Sequence, residues 1–157
     1  MSNDRTLLDT LAGQEEAFVF KAFNEITAIE IGEHLLRAAR EGNLPVVIDI
    51  RTSDRTLFHV ALPGSSPDND DWARRKSNTV LRFHKSSMRV GENYRLKGRE
   101  VSAELGMDPF DYASHGGSFP VRVIGTGVVA AITVSGMASE DDHGLIVRVL
   151  EDYLSDE

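Results

Sequence analysis

A short segment, His115-Gly116-Gly117-Ser118, combines residue types that a binding site can use. Consecutive glycines let the backbone turn sharply and bring N–H groups close to a ligand. An imidazole and a hydroxyl beside such a turn can bind an anion or coordinate a metal ion. The alternative is that the glycines satisfy backbone geometry at the entry to a strand, while His115 caps or packs. The segment matches neither a phosphate-binding loop nor a dinucleotide fingerprint.

Asp49 is a second candidate, because it interrupts the apolar run Val46-Val-Ile-Asp-Ile50. A carboxylate on a buried strand can serve as a general base. The alternative is an ion pair with Arg51 or Arg55 at the end of the hairpin. The sequence alone leaves both interpretations open.

Three further side chains complete the set of candidates for a ligand site: His59, His84 and Arg75. His59 lies on a predicted strand, whereas His84 and Arg75 belong to a basic helix. The histidines show no metal-binding spacing such as His-x-x-x-His, so no metal site is predicted. A Gly-x-Ser-x-Gly nucleophile elbow is also missing from the sequence.

Composition narrows the classes of function. The 157 residues include no cysteine, which excludes disulfides, thiolate nucleophiles and cysteine-based metal sites. The net charge of −8 disfavours non-specific binding to nucleic acid. The polar N-terminus lacks a secretory h-region, and no apolar stretch approaches the roughly 18 residues of a membrane span. We therefore expect a cytoplasmic protein without membrane or nucleic-acid partners.

The charge is distributed unevenly along the chain. Nine lysines and arginines but one acid lie between residues 74 and 99, and seven acids but one base lie between 140 and 157. Two solvated helix faces would explain this pattern. The alternatives are subunits that meet basic face to acidic face, or a basic pocket for a ligand that carries carboxylates.

Hydrophobic alternation predicts two β-hairpins. Their strands cover 46–50 with 56–62, and 121–124 with 128–135. Alternation places Ile48 and Ile50 on one face of the sheet and Asp49 on the other. By the same rule, His59 points away from the face that Phe58 occupies.

Helical spacing predicts the elements that cover these hairpins. The first three are a weak helix over 5–21, a helix capped by Thr27 and Glu30, and a basic helix from Asp70. A broken helix over 92–105, a short helix over 108–113 and a C-terminal helix capped by Ser139 follow. In the basic helix we expect Trp72, Val80 and Phe83 to face inward and Lys76 to face outward with the arginines. The prediction is one α+β domain over 1–157, with 1–13 loosely attached. Its central antiparallel sheet is built from two hairpins and covered by helices.

The C-terminal third resembles a known family. The run from His115 to Gly136, followed by Glu140-Asp-Asp-His143, is similar to the signature of the GlcG/HbpS-like, or heme-degrading-domain, superfamily. The further pieces 44–51, 57–64, 66–72, 82–87 and 112–120 resemble an uncharacterised bacterial and fungal branch of that superfamily.

The resemblance implies a profilin-like α+β fold and a ring-like homo-oligomer. Some members bind heme, so heme or another tetrapyrrole is the implied ligand, although no heme ligand of those members maps onto a position here. We therefore rank an oligomer that binds a small ligand first and an oligomeric adaptor second. An enzyme that uses His115 and Ser118, with Asp49 or His84, in one pocket is the third hypothesis.

Overall fold

The computed structural model describes residues 2–156, and the side chains of residues 6–156. The α-helices are α1 (Ser2–Ala17), α2 (Glu25–Glu41), α3 (Pro67–Phe83), α4 (Ser87–Leu96) and α5 (Ser139–Ser155). The strands are β1 (Val19–Phe20), β2 (Val47–Arg51), β3 (Thr56–Ala61), β4 (Ser118–Val123) and β5 (Gly127–Ser135). None of the helices in this range is both long enough and apolar enough to cross a membrane.

The strands form one sheet with the order β1-β4-β5-β2-β3. The two predicted hairpins, β2–β3 and β4–β5, are confirmed, and β5 joins them by pairing antiparallel with β2. The sheet also contains β1, which pairs parallel with β4 at one edge. Two residues are too few to show a periodic pattern, so the sequence did not indicate this strand.

The two faces of the sheet differ in chemistry. One face presents Ile48, Ile50, Phe119 and Ile132 to the apolar core that α2 and α5 complete. The opposite face, covered by α3 and α4, presents serine, threonine, aspartate and histidine side chains. The predicted alternation around Asp49 is therefore correct, and the polar face is where a site can form.

The start of α2 corrects the predicted cap. Its N-cap is Asn24, whose side-chain oxygen accepts a hydrogen bond from the Thr27 amide at 3.1 Å. The Thr27 hydroxyl accepts one from the Asn24 amide at 3.2 Å. Thr27 is thus the third helical residue rather than the cap, because a threonine at this position completes the box as Glu30 was expected to do.

Other helix boundaries also differ from the predictions. The basic helix α3 begins at Pro67, three residues earlier than expected, because proline suits the first turn of a helix. The predicted helix over 108–113 is wrong. The Asp108 side chain accepts a hydrogen bond from the Phe110 amide, which makes a tight turn there instead. Between residues 92 and 105, regular helix is limited to the end of α4 and a 3₁₀ turn at Ala103–Leu105.

The first helix is held by polar contacts near its C-terminal end. Glu15 accepts hydrogen bonds from the Ser86 amide at 3.2 Å and from Arg89 Nη1 at 2.9 Å. Gln14 Oε1 lies 2.7 Å from His143 Nε2 on α5. These contacts place α1 against the starts of α4 and α5.

Candidate functional site

A row of polar side chains crosses the sheet on its α3 face. The register pairs Ser118 with Thr133, Thr133 with Asp49, and Asp49 with His59, so one side chain from each of four neighbouring strands lies in line. The Ser118 and Thr133 hydroxyls are 2.8 Å apart, and Asp49 Oδ2 is 2.7 Å from His59 Nδ1. The fold thus brings three of the predicted site residues, Ser118, Asp49 and His59, into one row.

Asp49 is fully buried, and both of its oxygens are occupied. Arg51 donates to them from Nε at 2.6 Å and from Nη2 at 2.8 Å, while His59 approaches the second oxygen. A two-point arginine–carboxylate contact is strong and directional. The ion pair with Arg51 is therefore the state that the structure shows for this carboxylate.

His59 bridges two carboxylates from different layers. Its Nε2 lies 2.8 Å from Asp70 Oδ1 at the start of α3, opposite the contact with Asp49. Partial burial opposes protonation, but hydrogen bonds to Asp49 and Asp70 outweigh it and raise the pKa of His59 above its ordinary value. Protonated His59 thus ties β3, the edge strand, to α3.

This bridge predicts a pH-dependent contribution to stability. The folded pKa of His59 lies above the unfolded value, so its stabilisation is complete below that unfolded value and is lost as pH rises through the folded one. We expect His59→Gln to lower the free energy of unfolding by about 1 kcal/mol near pH ~6, after allowance for solvent screening. The loss should shrink in alkaline solution. Urea unfolding of the variant and the unmutated protein, near pH ~6 and in alkaline solution, measures this loss of unfolding free energy. A loss that grows as pH rises would contradict the bridge between His59 and its two carboxylates.

Ser118 and its neighbours form a buried hydroxyl network. Ser77 on α3 lies 2.9 Å from the Thr133 hydroxyl, and Ser87 accepts a hydrogen bond from the Ser118 amide at 3.0 Å. The Ser118 side chain is 0% exposed. Its hydroxyl therefore links β4 to Thr133 on β5, and Thr133 in turn contacts Ser77 on α3.

His115 lines a separate hollow of about 290 Å³ between α3, the end of β5 and the start of α5. Its ring packs edge-on against Trp72, with ring centres 5.2 Å apart. Arg75 covers the Trp72 ring at 4.1 Å from its centre, while its Nε donates to Asp71 at 2.9 Å. Burial, with Lys76 and Arg75 nearby, lowers the pKa of His115 and keeps it neutral.

The two glycines after His115 are explained by close contacts. A β-carbon on Gly116 would lie 2.6 Å from the backbone oxygen of Ser139. One on Gly117, where φ is +130°, would lie 2.4 Å from the Val134 oxygen and 2.7 Å from Lys76 Nζ. Glycine here lets β4 approach α5 and leaves space for a lysine side chain.

That lysine was expected to face outward, and the structure places it inward. The side chains of Lys76 and Asp142 are only 4% and 1% exposed, and Lys76 Nζ lies 3.1 Å from Asp142 Oδ2. Asp142 also accepts a hydrogen bond from the Met137 amide at 3.0 Å. Lys76 follows Trp72 and precedes Val80 by four residues each, and this helical spacing was the signal for an inward position.

His84 lines a different, larger cleft of about 780 Å³. Apolar side chains from β3, β4, β5 and α3 form much of its wall, including Leu57, Leu81, Val123 and Val129. Arg55 and Glu25 lie at the same cleft and pair at 2.6 Å, with both side chains 63% exposed. The structure therefore separates His84 from His115, which line two hollows with no shared residue.

The backbone at His84 is unusual. It caps α3 in the left-handed conformation, with φ 58° and ψ 33°, which is costly for a residue other than glycine. Its amide donates to the Val80 oxygen at 2.8 Å, and Arg122 Nη2 donates to its carbonyl at 2.7 Å. A histidine held in such a conformation is a reason to look for a role of its side chain.

Comparison with known proteins decides the family. Residues 23–151 match the family model described as "Haem degrading protein HbpS-like". The chain belongs to the HbpS-like family. Among curated relatives, a UPF0303 protein of Streptomyces coelicolor is 46% identical over 146 residues, covering 93% of this chain and 92% of the relative. A UPF0303 protein of Edwardsiella ictaluri is 46% identical over 154 residues, covering 98% of each.

Solved structures agree with the fold. The crystal structure of Ybr137w is 31% identical, with a TM-score of 0.85 and coverage of 95% of this chain and 88% of that one. HbpS itself is 20% identical with a TM-score of 0.67, covering 86% of this chain and 92% of that chain. The predicted resemblance and the α+β fold class are thus confirmed.

Proposed function

We propose that this protein binds a carboxylate-bearing tetrapyrrole, heme being the example, in the cleft at His84. The observation that carries the proposal is the combination of one histidine, one arginine and apolar walls in a single cleft. The proposed contacts of the ligand are therefore His84 and Arg55, while His115 lines the smaller hollow.

The size and chemistry of the cleft fit such a ligand. Its volume of about 780 Å³ lies within the roughly 300–1,000 Å³ typical of ligand sites, whereas the His115 hollow, at about 290 Å³, falls below that range. The branched side chains of Leu57, Leu81 and Val129 offer contacts to a flat apolar ring. An imidazole is an ordinary axial ligand of heme iron, and His84 is the histidine among the residues that line this cleft.

Arg55 supplies the charge for a carboxylate. Its present partner, Glu25, is as exposed as Arg55 itself. Exposed ion pairs contribute about 0–1 kcal/mol, so exchanging Glu25 for a ligand carboxylate costs little. When bound, heme would supply a redox-active iron, and the chain would supply the imidazole, the guanidinium and the apolar walls.

The comparisons support the same class of ligand. The family is described as haem-degrading, and the structure of the PduOC:heme complex shares this fold, with a TM-score of 0.67 at 14% identity. That identity supports the fold alone, so the residues proposed to hold the ligand come from this chain's own cleft. Ring-like association of copies and a cytoplasmic location stay predictions.

Heme titration followed in the Soret region tests the proposal. We expect a saturable band at stoichiometric heme, which His84→Ala removes and Arg55→Ala weakens by about tenfold in Kd, the equivalent of one charge-assisted contact. Removing the imidazole takes away the iron ligand, whereas removing the guanidinium takes away a carboxylate contact.

Two histidine variants serve as matched controls. His34 is exposed on α2, and His115 lies in the other hollow, so alanine at either position should leave the band unchanged. The absence of a saturable band in the unmutated protein would overturn the proposal. Loss of the band in His115→Ala but not in His84→Ala would show that heme binds in the His115 hollow and would also overturn the proposal.

A further inference from the structure

The hollow at His115 contains a primary amine that tetrapyrrole binding does not use. Lys76 lines this hollow, and its Nζ is held by Asp142 Oδ2 at 3.1 Å and by the Val134 carbonyl oxygen at 3.2 Å. Charged side chains are rarely this deeply buried, because removal from water is costly. A lysine whose only task was to pair with Asp142 would not need to border an open hollow.

The surroundings of the amine are polar on one side and aromatic on the other. Asn69, Ser135 and Ser139 line the hollow with Lys76, and Trp72 and His115 form an aromatic wall held by their edge-to-face contact. The volume of about 290 Å³ limits an occupant to a small molecule. Gly117 leaves room for the amine itself, since a β-carbon at this position would lie 2.7 Å from Nζ.

The protonation states favour a reactive amine. Burial lowers the pKa of Lys76, and the nearby Asp142 only partly opposes this. Burial also raises the pKa of Asp142, although its hydrogen bonds with Lys76 and Met137 oppose the change. Both shifts reduce the cost of moving one proton from the ammonium to the carboxylate, which gives a free amine beside a carboxylic acid.

We propose that Lys76 forms an imine with a small aldehyde that enters the hollow at His115. The ammonium first gives a proton to Asp142, and the free amine then adds to the carbonyl carbon to form a C–N bond. The carbonyl oxygen takes up a proton and leaves as water after a second protonation, while nitrogen loses its two protons. The sum is amine plus aldehyde giving imine plus water, so no oxidant or reductant is needed.

The charge of the hollow explains why an aldehyde fits better than an anion. Asp142 already neutralises Lys76, and His115 is neutral, so these three groups bring no net charge to the hollow. An anionic ligand would have to displace the buried Asp142 carboxylate, which also accepts a hydrogen bond from the Met137 amide. A small neutral carbonyl compound avoids that cost.

Competition among the lysines of one protein tests the proposal without any mutation. The chain has four lysines, and Lys21 and Lys97 are exposed while Lys85 is half-buried. The protein is incubated with glycolaldehyde and sodium cyanoborohydride at neutral pH, and labelling of each lysine is followed by peptide mass spectrometry. We expect Lys76 to react faster than each of the other three, because burial lowers its pKa and leaves a larger fraction of its amine unprotonated at neutral pH.

Two variants sharpen the result. Lys76→Arg keeps the positive charge without a nucleophile, and should abolish labelling at this position while leaving the other lysines unchanged. His84→Ala should leave labelling of Lys76 unchanged, which separates this site from the tetrapyrrole cleft. Labelling of Lys76 at the rate of Lys21 or more slowly would overturn the proposal, because a purely structural lysine would be protected by burial.

Discussion

Replacing Asp142 by asparagine should cost about 3–5 kcal/mol of unfolding free energy, because it leaves the Lys76 ammonium buried without a counter-charge. Lys76 and Asp142 are only 4% and 1% exposed, so water cannot compensate. Asparagine is chosen because its side-chain oxygen can still accept the hydrogen bond from the Met137 amide. The loss of unfolding free energy therefore measures the removal of the negative charge and not of that hydrogen bond. Urea unfolding near neutral pH measures the effect.

A double-mutant cycle separates the ion pair from its surroundings. Lys76→Met leaves Asp142 unpaired, and we expect a loss of similar size. The double variant removes both charges, so its loss should be smaller than the sum of the two single losses by about 2–3 kcal/mol. Simple additivity would show that the two side chains do not stabilise each other.

A surface ion pair provides the matched control. Arg55 and Glu25 are joined at 2.6 Å, shorter than the buried pair, but each is 63% exposed. The same cycle on this pair should give a coupling below about 1 kcal/mol, since solvent screens exposed charges. A comparison of the two cycles therefore tests whether burial, rather than distance, sets the strength of the Lys76 contact.

The polar row on the sheet shows how much a sequence can predict. Strand alternation predicted that Asp49 lies on the other face of the sheet from Ile48 and Ile50. It also predicted that His59 lies on the other face from Phe58, and both predictions are correct. Pairing of the two residues then follows from a hairpin register that the short turn restricts. Alternation did not show which arginine pairs with this carboxylate, because Arg51 and Arg55 both follow it closely in the sequence. The structure pairs Arg51 with Asp49, and Arg55 with Glu25.

The misplacement of Lys76 has a different cause. Its spacing from Trp72 and Val80 indicated the inward face of α3, but the cost of burying an ammonium favoured the outward one. The contact that offsets this cost is Asp142, which is 66 residues away in the chain. Contacts of that kind depend on how layers pack, and local periodicity carries no information about them.

The cleft at His84 was equally hidden from the sequence. Its walls come from segments spread from Phe23 to Val129, so no contiguous motif marks it. The left-handed backbone at His84 is set by the end of α3 and by Arg122 of β4. The sequence made His84 a candidate, but the residues around it are brought together by the packing of β3, β4, β5 and α3.

Acid should destabilise this protein by about 3 kcal/mol through His143 alone. Its side chain is 5% exposed, and burial lowers its pKa to about 4, against about 6.5 for an unperturbed histidine. Gln14 Oε1 accepts a hydrogen bond from Nε2, so Nδ1 is the unprotonated nitrogen. Nδ1 has no hydrogen-bond partner among the described residues, and a proton there would be buried without an acceptor.

The direction of the pH effect follows from these states. Above about pH 6.5, His143 is neutral in the folded and unfolded chain, and its contribution does not change. As pH falls from about 6.5 to about 4, His143 binds a proton in the unfolded chain but not in the folded protein, so the free energy of unfolding decreases. The difference between the two pKa values sets the size of the loss at about 3 kcal/mol.

A comparison of two variants isolates this contribution from the carboxylates that titrate in the same range. Subtracting the unfolding free energy of His143→Gln from that of the unmutated protein cancels shared titrations, and the difference should decline as pH falls. His59→Gln should give the opposite trend, with a difference that declines as pH rises, because its carboxylate partners raise its pKa. Two histidines with opposite slopes cannot be explained by a general acid effect. A flat difference for His143→Gln would show that this imidazole is protonated as readily in the folded protein as in the unfolded chain.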